Sequence, residues 1–301
     1  MKAAFKYALF LSACVLALGA AAPVWADEAD TPNVGDALYK VGGLEVVAVH
    51  DNHYAIPNDG KIFGGGAGPE AVSKALKAAG APTDKITVQF SGLLVKDGNR
   101  LILIDTGAGP GLKGGLIDSL KRAGVTPDQI TDVLITHSHF DHVGGLVTAD
   151  GKAAFPNATV RMTTKEWAFM QANKEQAAIT SAIAPQVRTF ESGANISSHV
   201  TAVPIEGHTP GHTGYEIIDG EAKLLDIGDA THSSIVSLAH PEWAMGFDSD
   251  KTIGAESRIA LLKRLSHSHE VVFAPHFPFP GLGRVKAEGQ GYVWEPVTVT
   301  R

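Results

Sequence analysis

Residues 133–142 read Val-Leu-Ile-Thr-His-Ser-His-Phe-Asp-His, an apolar run followed at once by four metal-binding side chains. The apolar run predicts a short buried strand. If the segment is extended, His137 and His139 point to the same side, because side chains alternate with a period of two. Asp141 and His142 follow them directly. Since imidazole nitrogens and carboxylate oxygens are ligands of Zn²⁺, the stretch predicts a metal centre at a strand end rather than a polar surface loop.

Three later segments repeat this pattern of a predicted strand that ends in a metal-binding side chain. His208 follows a strand predicted to start at Val200, Asp229 follows the run 223–227, and His276 follows 271–273. A carboxylate can bridge two ions by placing one oxygen on each. Each segment alone is weak evidence, but together they supply enough donors for two ions. The predicted metal ligands are His137, His139, Asp141, His142, His208, Asp229 and His276. For His212, the sequence favours a supporting or core position over a ligand.

The composition suits a soluble globular enzyme or binding protein and argues against a nucleic-acid partner. The chain has 301 residues, of which 44% are hydrophobic and 19% are charged, and its formal net charge is −7. A chain of this length can bury a large core. Proteins that bind nucleic acids by neutralising phosphates carry basic patches, and no basic run occurs here.

The first 26 residues have the order of a secretory signal peptide. Two lysines precede the apolar run 7–22, and small residues precede a predicted cleavage after Ala26. The run is too short for a membrane span with proper flanks. Cys14, in Leu-Ser-Ala-Cys, allows a lipoprotein alternative, but the apolar run continues beyond it. We therefore expect a periplasmic or secreted protein without disulfides, since Cys14 is the only cysteine.

The remaining chain predicts a flexible N-terminal segment at 27–40 and one domain at 41–301. Strand and helix patterns alternate through two similar halves. If each half forms one sheet with its helices outside, the result is an α/β, four-layer αββα sandwich with functional residues on loops at one edge. The glycine-rich segment 60–68 is either a mobile loop over a pocket or a plain surface connection. The chain is expected to end in loops rich in aromatic residues after residue 276.

The donor pattern resembles the signature of the metallo-β-lactamase superfamily in its dinuclear hydrolase form, across essentially the whole chain after residue 26. The segment Asp105-Thr106-Gly107 and residues 207–212, 276–283 and 287–292 are similar to the methyl parathion hydrolase branch, which is also related to quorum-quenching lactonases. The resemblance implies the metallo-β-lactamase fold for 41–301, and two divalent ions, expected to be Zn²⁺. It also implies a homodimer.

The same resemblance implies a role for each donor. One ion would be held by His137, His139 and His208, and the other by Asp141, His142 and His276. Asp229 would bridge the two ions, and Asp105 would orient a ligand without binding metal. His232 falls where acyl-homoserine lactonases place a tyrosine that touches the substrate carbonyl. We expect it to be either a hydrogen-bond donor to the developing oxyanion or an exposed loop histidine.

Two ions about 3.5–4 Å apart can share a water and produce hydroxide at neutral pH, while one ion polarises a carbonyl or phosphoryl oxygen. Asp141 is the group expected to pass a proton to the leaving oxygen. No cluster of Arg or Lys lies near the donor motifs, so the expected substrates are small neutral esters or lactones, with phosphotriesters as a weaker side activity. The candidate residues for an apolar pocket are Phe63, Phe90, Trp167, Trp243, Phe247, Phe277 and Phe279.

Several alternatives remain within and outside this chemistry. A β-lactamase of the same fold would be expected to offer a cysteine to the second ion, which the exported chain lacks. A thioesterase would be cytosolic and carry a helical substrate domain, and RNA-processing relatives carry an inserted domain that this chain cannot house. A non-catalytic zinc protein is the alternative of a different class. Structural zinc is usually closed by four ligands, whereas seven donors predict an open dinuclear site.

Overall fold

The structure is a computed structural model that describes residues 37–300, and its strands form two facing sheets. The predicted signal peptide at 1–26 and residues 27–36 lie outside the described residues. The first sheet runs in chain order through β1 (Ala37–Val41), β2 (Leu44–Pro57), β3 (Lys85–Asp97), β4 (Arg100–Ile104), β5 (Asp132–Leu134), β6 (Thr159–Thr163) and β7 (Val187–Phe190).

The second sheet comes from the second half of the chain and has the order β13-β12-β11-β10-β9-β8. Its strands are β8 (Val200–Pro204), β9 (Thr213–Asp219), β10 (Ala222–Asp226), β11 (Val271–Phe273), β12 (Leu282–Glu288) and β13 (Gly291–Pro296). The α-helices are α1 (Gly68–Ala78), α2 (Leu116–Arg122), α3 (Phe140–Val143), α4 (Thr164–Ala172), α5 (Ala177–Ile183), α6 (Val236–Ala239) and α7 (Lys251–Ser268).

Three apolar layers hold these elements together. Between the sheets, Leu93 of β3 belongs to the same buried cluster as Leu224 of β10. On the outer face of the first sheet, Leu120 of α2 packs in a cluster with Val133. On the outer face of the second sheet, Leu262 of α7 takes the corresponding place. Because burial of apolar surface drives this stacking, each sheet is covered by helices on one side and by the other sheet on the other. The predicted αββα sandwich is confirmed.

The direction of the strands explains where the donor residues gather. Strands β4, β5, β6 and β7 are parallel, and so are β10 and β11. The carboxyl ends of parallel strands lie at the same edge of a sheet, so the segments that follow them meet there. The hydroxyl of Tyr215 donates to the carbonyl oxygen of Ile135 at 2.8 Å, which ties the second sheet to the end of β5.

Two parts of the chain differ from the sequence prediction. Residues 37–40, predicted to be flexible, belong to β1 and pair with β2 in the register Leu38↔Val47. Ala37 and Val41 are buried between the sheets, which explains why this segment forms a strand. The predicted terminal loops are wrong in part, because β12 and β13 form a hairpin there. Among residues 37–300, no helix is long and apolar enough to cross a membrane.

Candidate metal centre

The structure brings all seven predicted donors together at the joint edge of the two sheets. The first sheet supplies four of them, because His137 and His139 follow β5 while Asp141 and His142 lie on α3. The second sheet supplies three, in the segments after β8, β10 and β11, which carry His208, Asp229 and His276. Except for Asp141 and His139, these side chains are almost completely buried.

One group of donors surrounds the Nε2 atom of His208. This atom lies 3.2 Å from Nε2 of His137 and 2.9 Å from Nδ1 of His139. The Oδ2 atom of Asp229 lies 3.3 Å from Nε2 of His208 and 3.5 Å from Nε2 of His137. One donor atom from each of these four residues falls within 4.8 Å of the others. Three imidazoles and one carboxylate form a donor set that suits a divalent zinc-like ion.

A second group faces the other oxygen of the same carboxylate. The Oδ1 atom of Asp229 lies 3.1 Å from Nε2 of His142 and 3.0 Å from Nε2 of His276. The Oδ2 atom of Asp141 lies 3.6 Å from both of these nitrogens. Nε2 of His276 also lies 3.0 Å from Oδ2 of Asp229, so the carboxylate of Asp229 faces both donor groups.

Two unpaired atoms show that this arrangement fits cations. Nε2 of His142 and Oδ1 of Asp229 are buried and make no hydrogen bond. Buried polar atoms are normally satisfied, because an unpaired one costs about 1–3 kcal/mol. Ions held between these groups would pair these atoms. The residues present therefore fit divalent metal ions.

In three of the donor histidines, the ring nitrogen that faces away from the donor groups is held by a hydrogen bond. Nδ1 of His142 donates to Oδ2 of Asp105 at 2.7 Å, and Nδ1 of His276 donates to the backbone carbonyl of Gln89 at 2.7 Å. Nδ1 of His208 donates to Oδ1 of Asp248 at 3.0 Å. Such contacts fix the tautomer and the ring orientation, so that Nε2 keeps its lone pair for a metal.

Asp105 has the supporting position that the sequence predicted. Its φ angle of 58° is unusual for a residue other than glycine. This conformation is fixed by the carboxylate, which accepts hydrogen bonds from the backbone N–H of Thr136 at 2.8 Å and from its hydroxyl at 2.7 Å. Asp105 thus links the end of β4 to the start of the donor segment and to His142.

His212 supports the site without joining either donor group. Its Nε2 accepts the backbone N–H of Asp229 at 2.9 Å, and its Nδ1 donates to the carbonyl oxygen of Ile205 at 2.7 Å. Burial lowers the pKa of His212 to about 3, so the ring is neutral and can accept. Gly228 allows this approach, since a Cβ atom there would lie 2.6 Å from Nε2 of His212.

The charges of the site show strong coupling. Burial opposes the ionisation of Asp229, but the surrounding imidazoles, His142 first among them, hold its pKa well below its usual range. Burial also lowers the pKa of His139 to about 4. For His208, burial would lower the pKa, but hydrogen bonds to Asp229 and Asp248 outweigh it and raise the pKa to about 8.

His232 is buried beside the carboxylate of Asp229. Only 2% of its surface is exposed, so the alternative of an exposed loop histidine is wrong. Its Nε2 atom lies 3.1 Å from Oδ2 of Asp229, and its ring stacks on that of His276 with a centroid distance of 5.2 Å. Burial lowers its pKa to about 4, which leaves a neutral ring at the edge of the site.

A cavity of about 500 Å³ opens above the donors, and its wall is mostly apolar. None of its lining residues is Lys or Arg. Some of the large hydrophobic residues are partly exposed at its mouth, among them Tyr54 and Leu112. The lining residues are Tyr54, Ile56, Ile62, Val88, Phe90, Leu112, His139, Phe140, Asp141, Asp229, His232, Phe247 and His276.

Only two of the predicted pocket residues, Phe90 and Phe247, line this cavity. The other five pack in apolar clusters and do not line the cavity. Phe63, Phe277 and Phe279 are buried in three different apolar clusters, while Trp167 and Trp243 pack at the edges of two clusters. The glycine-rich segment 60–68 forms part of the cavity wall through Ile62.

No local pattern in the sequence points to Asp248 or to Glu166, a buried carboxylate that joins two donor loops. Glu166 accepts hydrogen bonds from the backbone N–H of Ser138 at 2.7 Å and from Thr209 at 2.7 Å. Both acidic residues lie outside the predicted donor motifs. Their partners depend on the tertiary fold.

Comparisons with known proteins agree with this geometry. The solved structure of AidC, described as a dizinc quorum-quenching lactonase in complex with a product, is 29% identical with a TM-score of 0.83, covering 89% of this chain and 99% of that one. The hydrolase AbOPH, described as in the beta lactamase superfamily, is 30% identical with a TM-score of 0.82, covering 90% of this chain and 100% of that one.

Curated sequences give shorter matches. An N-acyl homoserine lactonase from Bacillus sp is 28% identical over 149 residues, which cover 48% of this chain and 55% of that protein. The protein YobT of Bacillus subtilis, strain 168, is 29% identical over 178 residues, covering 55% of this chain and 73% of that protein. The family model of the metallo-beta-lactamase superfamily matches residues 87–276, which include every donor residue. With its fold, its donor residues and this match in agreement, the chain belongs to the metallo-beta-lactamase superfamily and is a metal-dependent hydrolase.

Proposed function

We propose that this chain is an exported, dinuclear hydrolase of neutral lactones and esters. The observation that carries the proposal is the position of Asp229, whose two oxygens face two donor groups at the floor of an apolar cavity. This arrangement is open on the cavity side, whereas a structural zinc site is closed by its protein ligands.

Two divalent ions at this site, with Zn²⁺ as the proposed metal, would supply a nucleophile from water at neutral pH and polarise the substrate oxygen. His137, His139 and His208 would hold one ion, and Asp141, His142 and His276 the other. Asp229 would be shared between them. The supporting contacts of Asp105 and His212 keep these side chains in place before substrate binds, which reduces the reorganisation needed during the reaction.

Two residues at the cavity floor are available to act on the substrate. Asp141 lines the cavity and its side chain is 23% exposed, unlike the fully buried Asp229. It is therefore the carboxylate placed to pass a proton to the leaving oxygen. His232 also lines the cavity, and a neutral imidazole there can donate a hydrogen bond to the substrate carbonyl oxygen as negative charge develops.

The cavity wall supports the proposed substrate class. Its residues are mostly apolar, and the ionisable side chains on it are the donors Asp141 and Asp229 and the histidines. An anionic substrate would find no Lys or Arg on this wall to match its charge. A neutral acyl or aryl group can be buried along the wall, while the ester or lactone bond lies over the donors. Phosphotriesters are also uncharged, but their transition state has a different shape. We therefore propose their hydrolysis as a weaker side activity.

The similarity to AidC and to N-acyl homoserine lactonases supports a lactone as the substrate. The phosphotriester activity is proposed only from the sequence motifs that resemble the methyl parathion hydrolase branch. We propose the periplasm or the extracellular space as the location, on the basis of residues 1–26. A homodimer is proposed from the same branch, and light scattering of the purified protein tests it.

A substrate panel tests the proposed reaction. Zinc-loaded protein is assayed with lactones, aryl esters, phosphotriesters and two anionic classes, namely β-lactams and thioesters of glutathione. We expect the highest kcat/KM for lactones or aryl esters and no activity after the metal is removed. An Asp229→Ala variant serves as the control for contaminating esterases. A clear lead for either anionic class would refute the argument from the apolar wall.

A further inference from the structure

Arg258 on α7 is an arginine buried far from solvent, with only 1% of its surface exposed. Its guanidinium makes four hydrogen bonds. Nε donates to the carbonyl oxygen of Ala230 at 2.9 Å, and one terminal nitrogen donates to Pro241 at 3.1 Å and to Trp243 at 2.9 Å. The other terminal nitrogen donates to Oδ2 of Asp248 at 2.8 Å. A buried charge is tolerated only when it is paired and bonded in this way.

These four contacts reach both the metal centre and the cavity wall. Ala230 directly follows the shared donor Asp229. The other oxygen of Asp248 accepts the N–H of His208, so the chain of contacts from Arg258 to a donor imidazole is only two bonds long. Phe247, which lines the cavity, directly precedes Asp248.

The loop of residues 241–248, which Arg258 contacts, is also bonded to the glycine-rich segment 60–68. The backbone N–H of Gly246 donates to the carbonyl oxygen of Ile62 at 2.8 Å. Gly65 packs so closely on this loop that a Cβ atom there would lie 2.2 Å from the backbone nitrogen of Ala244. Ile62 and Phe247, which both line the cavity, therefore share one support.

We propose that Arg258 is a positioning residue that fixes, through one guanidinium, both the His208 imidazole and the apolar wall formed by Ile62 and Phe247. This inference rests on the proposed function, because it assumes that His208 binds an ion. Arginine is required, since its planar fork has five donors and spans four acceptors, whereas a lysine has three donors on one nitrogen. Zinc affinity at His208 and apolar substrate binding therefore depend on the same contacts.

Two variants and one matched control test the proposal. Asp248→Asn keeps the size of the side chain and removes the charge that orients His208, and Arg258→Lys keeps the charge but shortens the reach. Arg264→Lys is the control, because Arg264 lies on the same helix but makes partly exposed ion pairs with Glu216 and Glu270. Zinc retained per chain is measured against rising dipicolinate, alongside thermal unfolding of the metal-free proteins.

We expect Asp248→Asn and Arg258→Lys to lose one zinc equivalent at a dipicolinate concentration about 10–100-fold lower than the wild type. At saturating zinc, Arg258→Lys should also raise KM for an apolar aryl ester more than it lowers kcat. Arg264→Lys should match the wild type in both measurements. If Arg258→Lys does not fold, the zinc retention of Asp248→Asn decides whether these contacts position the His208 imidazole.

The outcomes separate this inference from the proposed function. A wild-type protein that retains no zinc overturns both. A wild type that retains two equivalents, together with folded variants that retain zinc equally well, overturns the positioning role alone. An unchanged KM in folded Arg258→Lys overturns the link to the cavity wall.

Discussion

The backbone N–H of Asp229 donates a hydrogen bond to Nε2 of His212 at 2.9 Å. This contact uses the ring nitrogen that a metal would otherwise need, and it holds the main chain of the residue whose carboxylate faces both donor groups. His212 therefore positions the shared carboxylate from behind.

Replacing His212 by Ala should preserve two zinc sites but weaken them. The loss of a supporting contact of this kind typically costs about 10–100-fold in metal affinity or activity. Metal analysis together with kcat/KM measures the effect, and His208→Ala, which removes a proposed ligand, provides the comparison. If His212→Ala reduced zinc stoichiometry as much as His208→Ala does, His212 would have to be counted as a ligand.

Asp229→Ala should lose bound metal and cost several kcal/mol of transition-state stabilisation, because both donor groups lose their shared oxygens. Asp226→Ala should be milder in its effect on metal content. Asp226 points to the main chain, where it accepts the N–H of Gly228 at 2.9 Å, and burial raises its pKa well above its usual range. Zinc analysis of both variants checks the assignment. Greater zinc loss from Asp226→Ala would contradict it.

Phe247→Ala and Phe63→Ala should separate the cavity wall from the core. Phe247 is 39% exposed, so its loss should leave stability nearly unchanged and lower kcat/KM for apolar esters about tenfold. Phe63 is 2% exposed, and a buried Phe→Ala substitution costs about 3–5 kcal/mol in the free energy of unfolding. Denaturant unfolding and kinetics on both variants test the contrast. A large stability loss for Phe247→Ala would place it in the core.

Zinc binding at pH 7 should release more than one proton per chain. The pKa of His208 is raised to about 8, and the carboxylates around His142 raise its pKa well above 6.5 despite burial. Both rings therefore carry protons that an ion must displace. Titration calorimetry in two buffers with different ionisation enthalpies measures the number released. Zinc binding without proton release would contradict these pKa directions.

The same raised pKa values fix the sign of the pH dependence. A histidine whose pKa is higher in the folded state stabilises the metal-free protein fully below pH 6.5, and this contribution is lost as the pH rises through the folded value. For His208 the loss runs from about pH 6.5 to about pH 8 and is complete above that range. The zinc affinity should rise over the same range, since fewer protons compete.

Export should be visible in the N-terminus of the mature protein. Fractionation should recover a periplasmic or secreted chain that begins near Asp27, as the order of charged, apolar and small residues before it predicts. Mass spectrometry of the N-terminal peptide checks the cleavage. A Cys14→Ser variant should be processed in the same way. Loss of membrane attachment on that substitution would instead establish a lipoprotein.

The donor residues were predictable because four of them lie in one short motif and the other three each follow a predicted strand. The alternation of side chains in an extended segment predicted that His137 and His139 point to the same side. In the structure, one ring nitrogen of each approaches Nε2 of His208. Asp229 could be selected as a donor because it follows the predicted strand 223–227. The αββα architecture followed from two halves with similar patterns, each of which forms one sheet.

The supporting contacts and the cavity wall were not predictable in the same way. Asp248 contacts His208 across 40 positions of the chain, and the carbonyl of Gln89 contacts His276 across 187. No local pattern encodes such partners. The sequence does not show whether an aromatic side chain packs in the core or lines a cavity. Phe63 and Phe247 are told apart only by the fold, which places Phe63 in an apolar cluster and Phe247 on the cavity wall.

The division of the donors between the two sheets has a consequence for how the protein matures. Each donor group takes members from both halves of the chain, since His137 and His139 meet His208, and Asp141 and His142 meet His276. Neither half can complete a site alone. A chain whose two sheets have not yet packed together therefore offers only part of each donor group. We expect an ion to bind only after the sandwich has closed, so bound metal marks a fully assembled chain.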